Sequence, residues 1–489
     1  MAKMGVRKLS LLVLALVTLA AGLSLRFSWK WSKTKAAQTS QPKVLRKDDS
    51  SENENIMRLE GVEKAKAASF ERTILDFEKN DSLSDECRRY GGYHLVEELR
   101  KGKENVCGGE KSAIDWYSMR PVAENQDFGV LVLTNAAFKR ADQGPIYKIE
   151  LECAPTAAYS ERIVRLHQEK ATKATKDLVQ SIDTEGIQCA RPEGVLIFVD
   201  SNDYYNWWWF LVQLQNHFLA MAALWTELDD EPHTIVYQSK DGRLGSDATS
   251  KDNHGQMGLR EMYRKMFGRE GMLDVRTWIN ADDAFGCYRT IIVMRNAENG
   301  SPILKNARHN HDHCFSPVIA ALRSHMRASV GLKDQNSQSV RRVCWASRDE
   351  EDRREYTSWQ VRRTVRNQTG LVAALDDYAR AIGAEVVQIP FYSFNDAVPV
   401  STQMKRASQC SLVAGIHGAG LYVAVAMTKL SILEFVPLPI ANRNAVNLKH
   451  LVGGCYRGQI RVKLNAQKQI APALVWKEVH TALHDCGDG

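Results

Sequence analysis

The apolar run Ser411-Leu412-Val413-Ala414-Gly415 leads directly into Ile416-His417-Gly418-Ala419-Gly420-Leu421. Two glycines at a strand-to-helix turn let a backbone approach a ligand closely. The free N–H groups at the helix start then suit a phosphate, and His417 can donate to the same diphosphate. Further on, the apolar run Ser431–Val436 carries one carboxylate, Glu434, suitably placed at a strand end to accept protons from ribose hydroxyls. A tight structural turn with a hydrogen-bonded histidine is the competing reading of the same residues.

Two other groupings could do chemistry. In His309-Asn310-His311-Asp312-His313-Cys314 the alternating histidines can converge on one side of an extended segment, and imidazole suits zinc. No carboxylate or cysteine cluster elsewhere completes such a set. A polar loop ahead of a helix at Pro317 is therefore preferred, and no metal is expected. Trp207-Trp208-Trp209 offers flat apolar faces on which a sugar ring could stack, although most such aromatics fill cores.

These residues need a frame. From Gly194 the chain alternates apolar strands with helical stretches: strands at 195–199, 234–237, 275–279 and 290–294, with helical patterns at 207–225, 257–267 and 317–330. After a polar link at 333–342 a second series follows. It has strands at 343–346, 385–389, 411–415, 431–436 and 460–464, and helices at 370–382, 400–409 and 472–484. Continuous apolar strands alternating with helices predict parallel sheets covered on both faces. The expected class is α/β, with two Rossmann-like halves and a cleft between them. In such sheets ligands sit at the carboxyl ends of the strands.

The N-terminal stretch reads differently. Leu9–Leu25 carries no charge and has the length of a short bilayer-spanning helix, with Lys3, Arg7 and Lys8 before it. An uncleaved signal-anchor is the favoured reading; a cleaved signal peptide ending near Ala20-Ala21-Gly22 is the rival. The polar stretch that follows cannot bury a core and reads as a stem. This divides the chain into a cytosolic tail (1–8), an anchor (9–25), a stem (26–84), an N-terminal domain (85–335) and a C-terminal domain with a terminal helix (336–489). Ten widely spaced cysteines without a CxxC pair fit disulfides in a secretory compartment, with Cys344 and Cys410 readable instead as buried thiols. Asn80-Asp81-Ser82 is a glycosylation sequon. The net charge of +7 is spread along the chain without a long Lys/Arg block past the N-terminus, which argues against nucleic acid.

The block from Ser411 to Leu421, followed by Ser431-Ile-Leu-Glu434-Phe-Val, resembles the C-terminal signature of glycosyltransferase family 61. Val343-Cys-Trp-Ala-Ser-Arg348 is similar to the family's strand ending in Ser-Arg, and Arg363-Thr-Val-Arg-Asn367 to its Arg-Arg-x-x-Asn, the second arginine missing. The resemblance implies a GT-B fold and inverting transfer from a UDP-sugar without a metal or other cofactor. It puts the donor in the C-terminal domain and the acceptor beside the N-terminal one. Arg348 and Arg363 would face the donor diphosphate, Asn367 would begin a helix, and His417, Gly418, Ala419, Gly420, Leu421 and Glu434 would complete the donor side. Three further blocks, Ile182–Cys189 with the run at Gly194, Gly286-Cys-Tyr-Arg289, and the end near Cys486, are most similar to the family's β-1,2-xylosyltransferases of N-glycans. This implies a single-pass type II protein of the Golgi or ER membrane whose catalytic part is lumenal. Its partners would be a UDP-sugar, an N-glycan or other glycoprotein acceptor, and the bilayer.

The acceptor side departs from the family. Where it has Asn-x-x-His-x-x-x-Asp, this chain has Asn206, Trp209 and Gln213. Neither Trp nor Gln can take the acceptor's proton. Asp203 is the preferred substitute base, with Asp200, His217, Asp282 and Asp283 as alternatives. A helix-capping role for these acids is equally consistent with their positions.

Overall fold

Val195-Leu-Ile-Phe-Val has no polar residue until Asp200, the pattern of a strand buried on both faces. In the computed structural model it is β7 (Val195–Ser201), paired in parallel with β8 (His233–Ser239) and β10 (Gly286–Met294). β9 (Met272–Asp274) continues the parallel set beside β8. The structure describes residues 70–79, 91–119, 128–140, 147–159, 161–162, 180–186, 189, 191–201, 207–224, 233–239, 262, 265–266, 272–274, 286–294, 315–332, 341–347, 365–366, 368–390, 398–437, 453–463 and 469–487. All of these belong to one contact unit, Met57–Gly489.

On its other side β10 is antiparallel to β3 (Phe128–Arg140), which is followed by β2 (Ala113–Met119), β1 (Lys103–Gly108) and β5 (Ala154–Pro155). β4 (Tyr147–Glu150) and β6 (Ile182–Asp183) pair beside β3. The first half is thus a mixed sheet of ten described strands rather than the expected parallel one. Only residues 109–112 separate β1 from β2. A parallel crossover needs a dozen or so residues, so this connection forces a hairpin. Between 85 and 190 the sequence carries one isolated apolar run, Gly129–Thr134, which forms the middle of β3; the other strands there are short and interrupted by polar residues. The strand expected at 275–279 lies outside the described residues.

The second sheet meets the expectation. β11 (Arg341–Ser347), β12 (Ala384–Pro390), β13 (Leu412–Ile416), β14 (Ser431–Pro437) and β15 (Cys455–Val462) pair entirely in parallel, in the order β12-β11-β13-β14-β15. β15 begins earlier than the predicted 460, because Cys455-Tyr456-Arg457-Gly458 carries no apolar signal.

Successive strand residues face opposite sides, and two cores follow. Val343, Trp345, Leu412, Ala414, Leu433 and Phe435 pack with α4 (Gln368–Arg380) and α6 (Pro472–Gly487). Cys344, Ala346, Val413 and Ile432 face the other way. They join a core with α2 (Trp207–Leu224), α3 (Pro317–Ser329), α5 (Val400–Ser408) and residues of the first sheet. α1 (Leu95–Lys101) packs on α2 in the same core. Where the sequence predicted an apolar helix after the His417 loop, Ala419–Ala426 forms a 3-10 helix. Eight residues is long for this form. Its side chains from Leu421 to Met427 are buried on every side, and packing rather than propensity sets its pitch.

Four described disulfides staple the fold: Cys107–Cys153, Cys189–Cys287, Cys344–Cys410 and Cys455–Cys486. Cys344 and Cys410 are therefore bonded to each other instead of being buried thiols. No helix among the described residues is long and apolar enough to cross a membrane. Residues 1–69, with the expected tail, anchor and much of the stem, lie outside them.

Candidate functional site

β11 and β13 are neighbours although β12 lies between them in sequence. One crossover leaves β11 over the face covered by α4; the next returns over the face covered by α5. The connections diverge at this point, and in doubly wound sheets the ligand crevice lies outside the carboxyl ends of two such strands. β13 ends at Ile416 and β11 at Ser347, so the next residues along the chain are His417 and Arg348.

The strands approach closely because residue 415 is glycine. A Cβ there would lie 3.0 Å from the Ala346 carbonyl oxygen and 3.3 Å from the Leu421 side chain. Beyond it, the His417 backbone N–H donates to the Phe435 carbonyl at 2.7 Å, carrying the β13–β14 ladder one residue past the strand. Gly418 caps the 3-10 helix without any side-chain bond, and the Leu421 N–H closes back on its carbonyl at 3.2 Å. Leu421 is fully buried, so its contribution is to the core.

His417 is 2% exposed and Glu434 is 0% exposed. The ring Nδ1 lies 2.6 Å from Glu434 Oε1. The Tyr456 hydroxyl donates to Glu434 Oε2. Both carboxylate oxygens are thus engaged inside the protein, although the sequence reading had directed this group to a ribose. With a carboxylate on Nδ1, the proton sits on that nitrogen. Nε2, on the far side of the ring, is buried with no hydrogen-bond partner among the described residues. Few buried polar atoms stay unpaired in folded proteins, so an orphaned nitrogen beside a glycine turn marks a place for a ligand atom.

Tyr456 was absent from the sequence reading, and its local setting explains how it gets there. β14 and β15 slip register between Leu433 and Phe435, which pair with Arg457 and Ile460. The extra β15 residue falls opposite Glu434, and bulges of this kind re-aim side chains. Gly458 lies on the same face as Tyr456; a Cβ there would fall 1.8 Å from the Tyr456 hydroxyl. The phenol therefore lies over the bare backbone of Gly458 on its way to Glu434. A Tyr-x-Gly triplet was the signal that could have found it.

Asp203, Asn206, Arg348, Arg363, Asn367 and Asn80 lie outside the described residues, as do Asp282, Asp283 and the His309–His313 run. Trp209 falls in the first turn of α2. Its neighbour Trp207 is a core residue, 7% exposed, whose indole N–H donates to Gln403 at 3.0 Å. Gln213 and His217 are both buried in α2. No group of three or more potential metal ligands occurs among the described residues.

The far end of the 3-10 helix is clamped by α3. Arg323 donates to the carbonyls of Val425, Met427 and Thr428, and Arg327 to the Ala426 carbonyl and the Thr428 hydroxyl. Orphan carbonyls at a helix end need such partners.

Residues 289–432 match the family model described as Glycosyltransferase 61. The matched segment runs from β10 into β14 and contains the whole His417 loop. No curated protein matches the chain. Among solved structures, a mutant flavo di-iron protein from Thermotoga maritima is similar at 6% identity, over 78% of this chain and 99% of that one. Its TM-score of 0.22 is too low to carry an argument.

Proposed function

We propose that the chain is an inverting glycosyltransferase of family 61 that moves a sugar from a UDP-sugar to a glycan acceptor. The donor would be UDP-xylose and the acceptor the core β-mannose of an N-glycan. The observation that carries this reading is the family match over residues 289–432, because it encloses the turn at which Nε2 of His417 stands unpartnered. A GT-B arrangement would put the donor against the second sheet and the acceptor near the start of α2. Arg348, Arg363 and His417 would neutralise the UDP leaving group with fixed positive charge, which leaves no step needing a metal. Asp203 would take the proton of the acceptor hydroxyl. The chain would sit in a Golgi or ER membrane through residues 9–25, with its folded part lumenal and a glycan on Asn80. Within the family, UDP-GlcNAc or UDP-arabinose are the alternative donors.

A second reading is favoured by the acceptor helix: a member that binds UDP-sugars or glycans without transfer. Trp209 and Gln213 stand where the family has His and Asp, and Gln213 is buried. One assay separates the two. Purified full-length protein is given a panel of UDP-sugars with N-glycan acceptors, and product is followed by mass spectrometry. Xylose transfer abolished by Asp203→Asn is the expected result. UDP-xylose binding with no transfer to any acceptor would remove the enzyme reading.

A further inference from the structure

We infer that Tyr456 and Glu434 are positioning residues that hold the His417 ring by its Nδ1, so that Nε2 meets a phosphate oxygen of a nucleoside diphosphate. This deepens the UDP-sugar reading and rests on it.

The buried Glu434 carboxylate is the starting point. A buried charge is tolerated only when paired and hydrogen-bonded. The Tyr456 hydroxyl supplies one hydrogen bond, and the His417 ring, 2.6 Å away, meets the other oxygen through Nδ1. Nε2 has no hydrogen-bond partner among the described residues. A ring N–H on the side away from the carboxylate suits an anionic oxygen. It also follows the strand at the switch point of a parallel sheet, beside backbone N–H groups that Gly418 leaves uncapped. Those N–H groups favour negative charge as well. A ribose hydroxyl suits the site less, because Glu434 is fully buried behind its two partners.

The device is built rather than incidental. A register slip in the β14–β15 ladder falls at Glu434, and the bare Gly458 backbone makes room for the Tyr456 ring. Neither feature is needed for a parallel sheet, and both are needed for the phenol to reach the carboxylate.

The test compares UDP with uridine by titration calorimetry on the full chain, as wild type, Tyr456→Phe and Glu434→Gln. A phosphate contact predicts that wild type prefers UDP. Tyr456→Phe should weaken UDP by roughly three- to tenfold and Glu434→Gln by roughly ten- to a hundredfold, from the usual worth of neutral and charged hydrogen bonds. Uridine affinity should stay at the wild-type value in both. Should Glu434→Gln fail to fold, Tyr456→Phe decides, since it keeps the ring. A wild-type preference for UDP that both variants retain in full would overturn the relay alone. Loss of UDP and uridine in equal proportion would make the two residues merely structural and overturn it too. Wild-type protein that does not prefer UDP to uridine, or binds neither, would sink the relay together with the UDP-sugar reading.

Discussion

Gly458 and Trp207 are single positions where one atom's presence or absence is decisive. A methyl at residue 458 collides with the Tyr456 ring, so Gly458→Ala should swing the phenol away and leave Glu434 Oε2 without its donor. An unsatisfied buried acceptor costs about 1–3 kcal/mol, to be read as a lower urea midpoint with an unchanged slope. A midpoint equal to wild type would mean that the hydroxyl does not reach Glu434 in solution. Trp207→Phe keeps most of the buried ring but deletes the donor to Gln403, whose amide nitrogen remains tied to the Val398 carbonyl. A loss of about 1–2 kcal/mol is expected. Adding Gln403→Leu should cost less than the two single changes summed, because they remove one shared bond. At this scale the sequence was legible where chemistry concentrates in a short stretch, as at His417–Leu421. It was not legible where partners come from separate strands. Glu434 was visible as a lone carboxylate in an apolar strand, yet its partners, 17 and 22 residues away, depend on register and a bulge.

Among the elements, the 3-10 helix Ala419–Ala426 depends most on its neighbours. Its apolar side chains have no polar face to present to water, and its last carbonyls are met by guanidinium groups from α3. Arg327→Met preserves much of the buried volume and removes the donors to the Ala426 carbonyl and the Thr428 hydroxyl, leaving those of Arg323. It should cost about 1–3 kcal/mol, the penalty for an orphaned buried carbonyl. Denaturation of the variant beside an exposed Lys→Met control measures it; equal stability would show that the clamp is dispensable. The second sheet was readable because β11, β13 and β14 are built on continuous apolar runs, whereas the polar first half of β15 gave no signal. In the first sheet β3 was visible as the apolar run Gly129–Thr134, but its antiparallel neighbours β2 and β1 were not, since they mix Lys, Glu, Asn and Asp with their apolar residues. An apolar helix was expected after the His417 loop, but nothing in composition distinguishes an α-helix from a 3-10 helix enclosed on all sides.

In the whole molecule the two sheets share one apolar core. Val195, Ile197, Ile292 and Met294 of the first and Val413 and Ile432 of the second belong to it, together with α2, α3 and the 3-10 helix. A fragment of residues 336–489 would lose α2 and α3 and expose Leu421, Val423 and Val425 to water. Expressed alone, it should be aggregated or bind a hydrophobic dye, whereas the intact protein should melt in one transition. A soluble, cooperatively folding fragment would show that the shared core is incidental. Replacing Cys344 and Cys410 by alanine should cost about 2–4 kcal/mol, the usual effect of losing a bond that closes a loop of this size.

Those bonds also bear on how the chain is made. Each described disulfide joins a cysteine to the next described cysteine along the sequence: 107 to 153, 189 to 287, 344 to 410, 455 to 486. A polypeptide entering an oxidising compartment N-terminus first would, within this set, meet each correct partner before any later thiol arrives. Among these eight thiols, order of arrival is enough to specify the pairing, and no reshuffling is required. Trapping free thiols during synthesis should therefore find the 107–153 bond closed while residues past 189 are still on the ribosome.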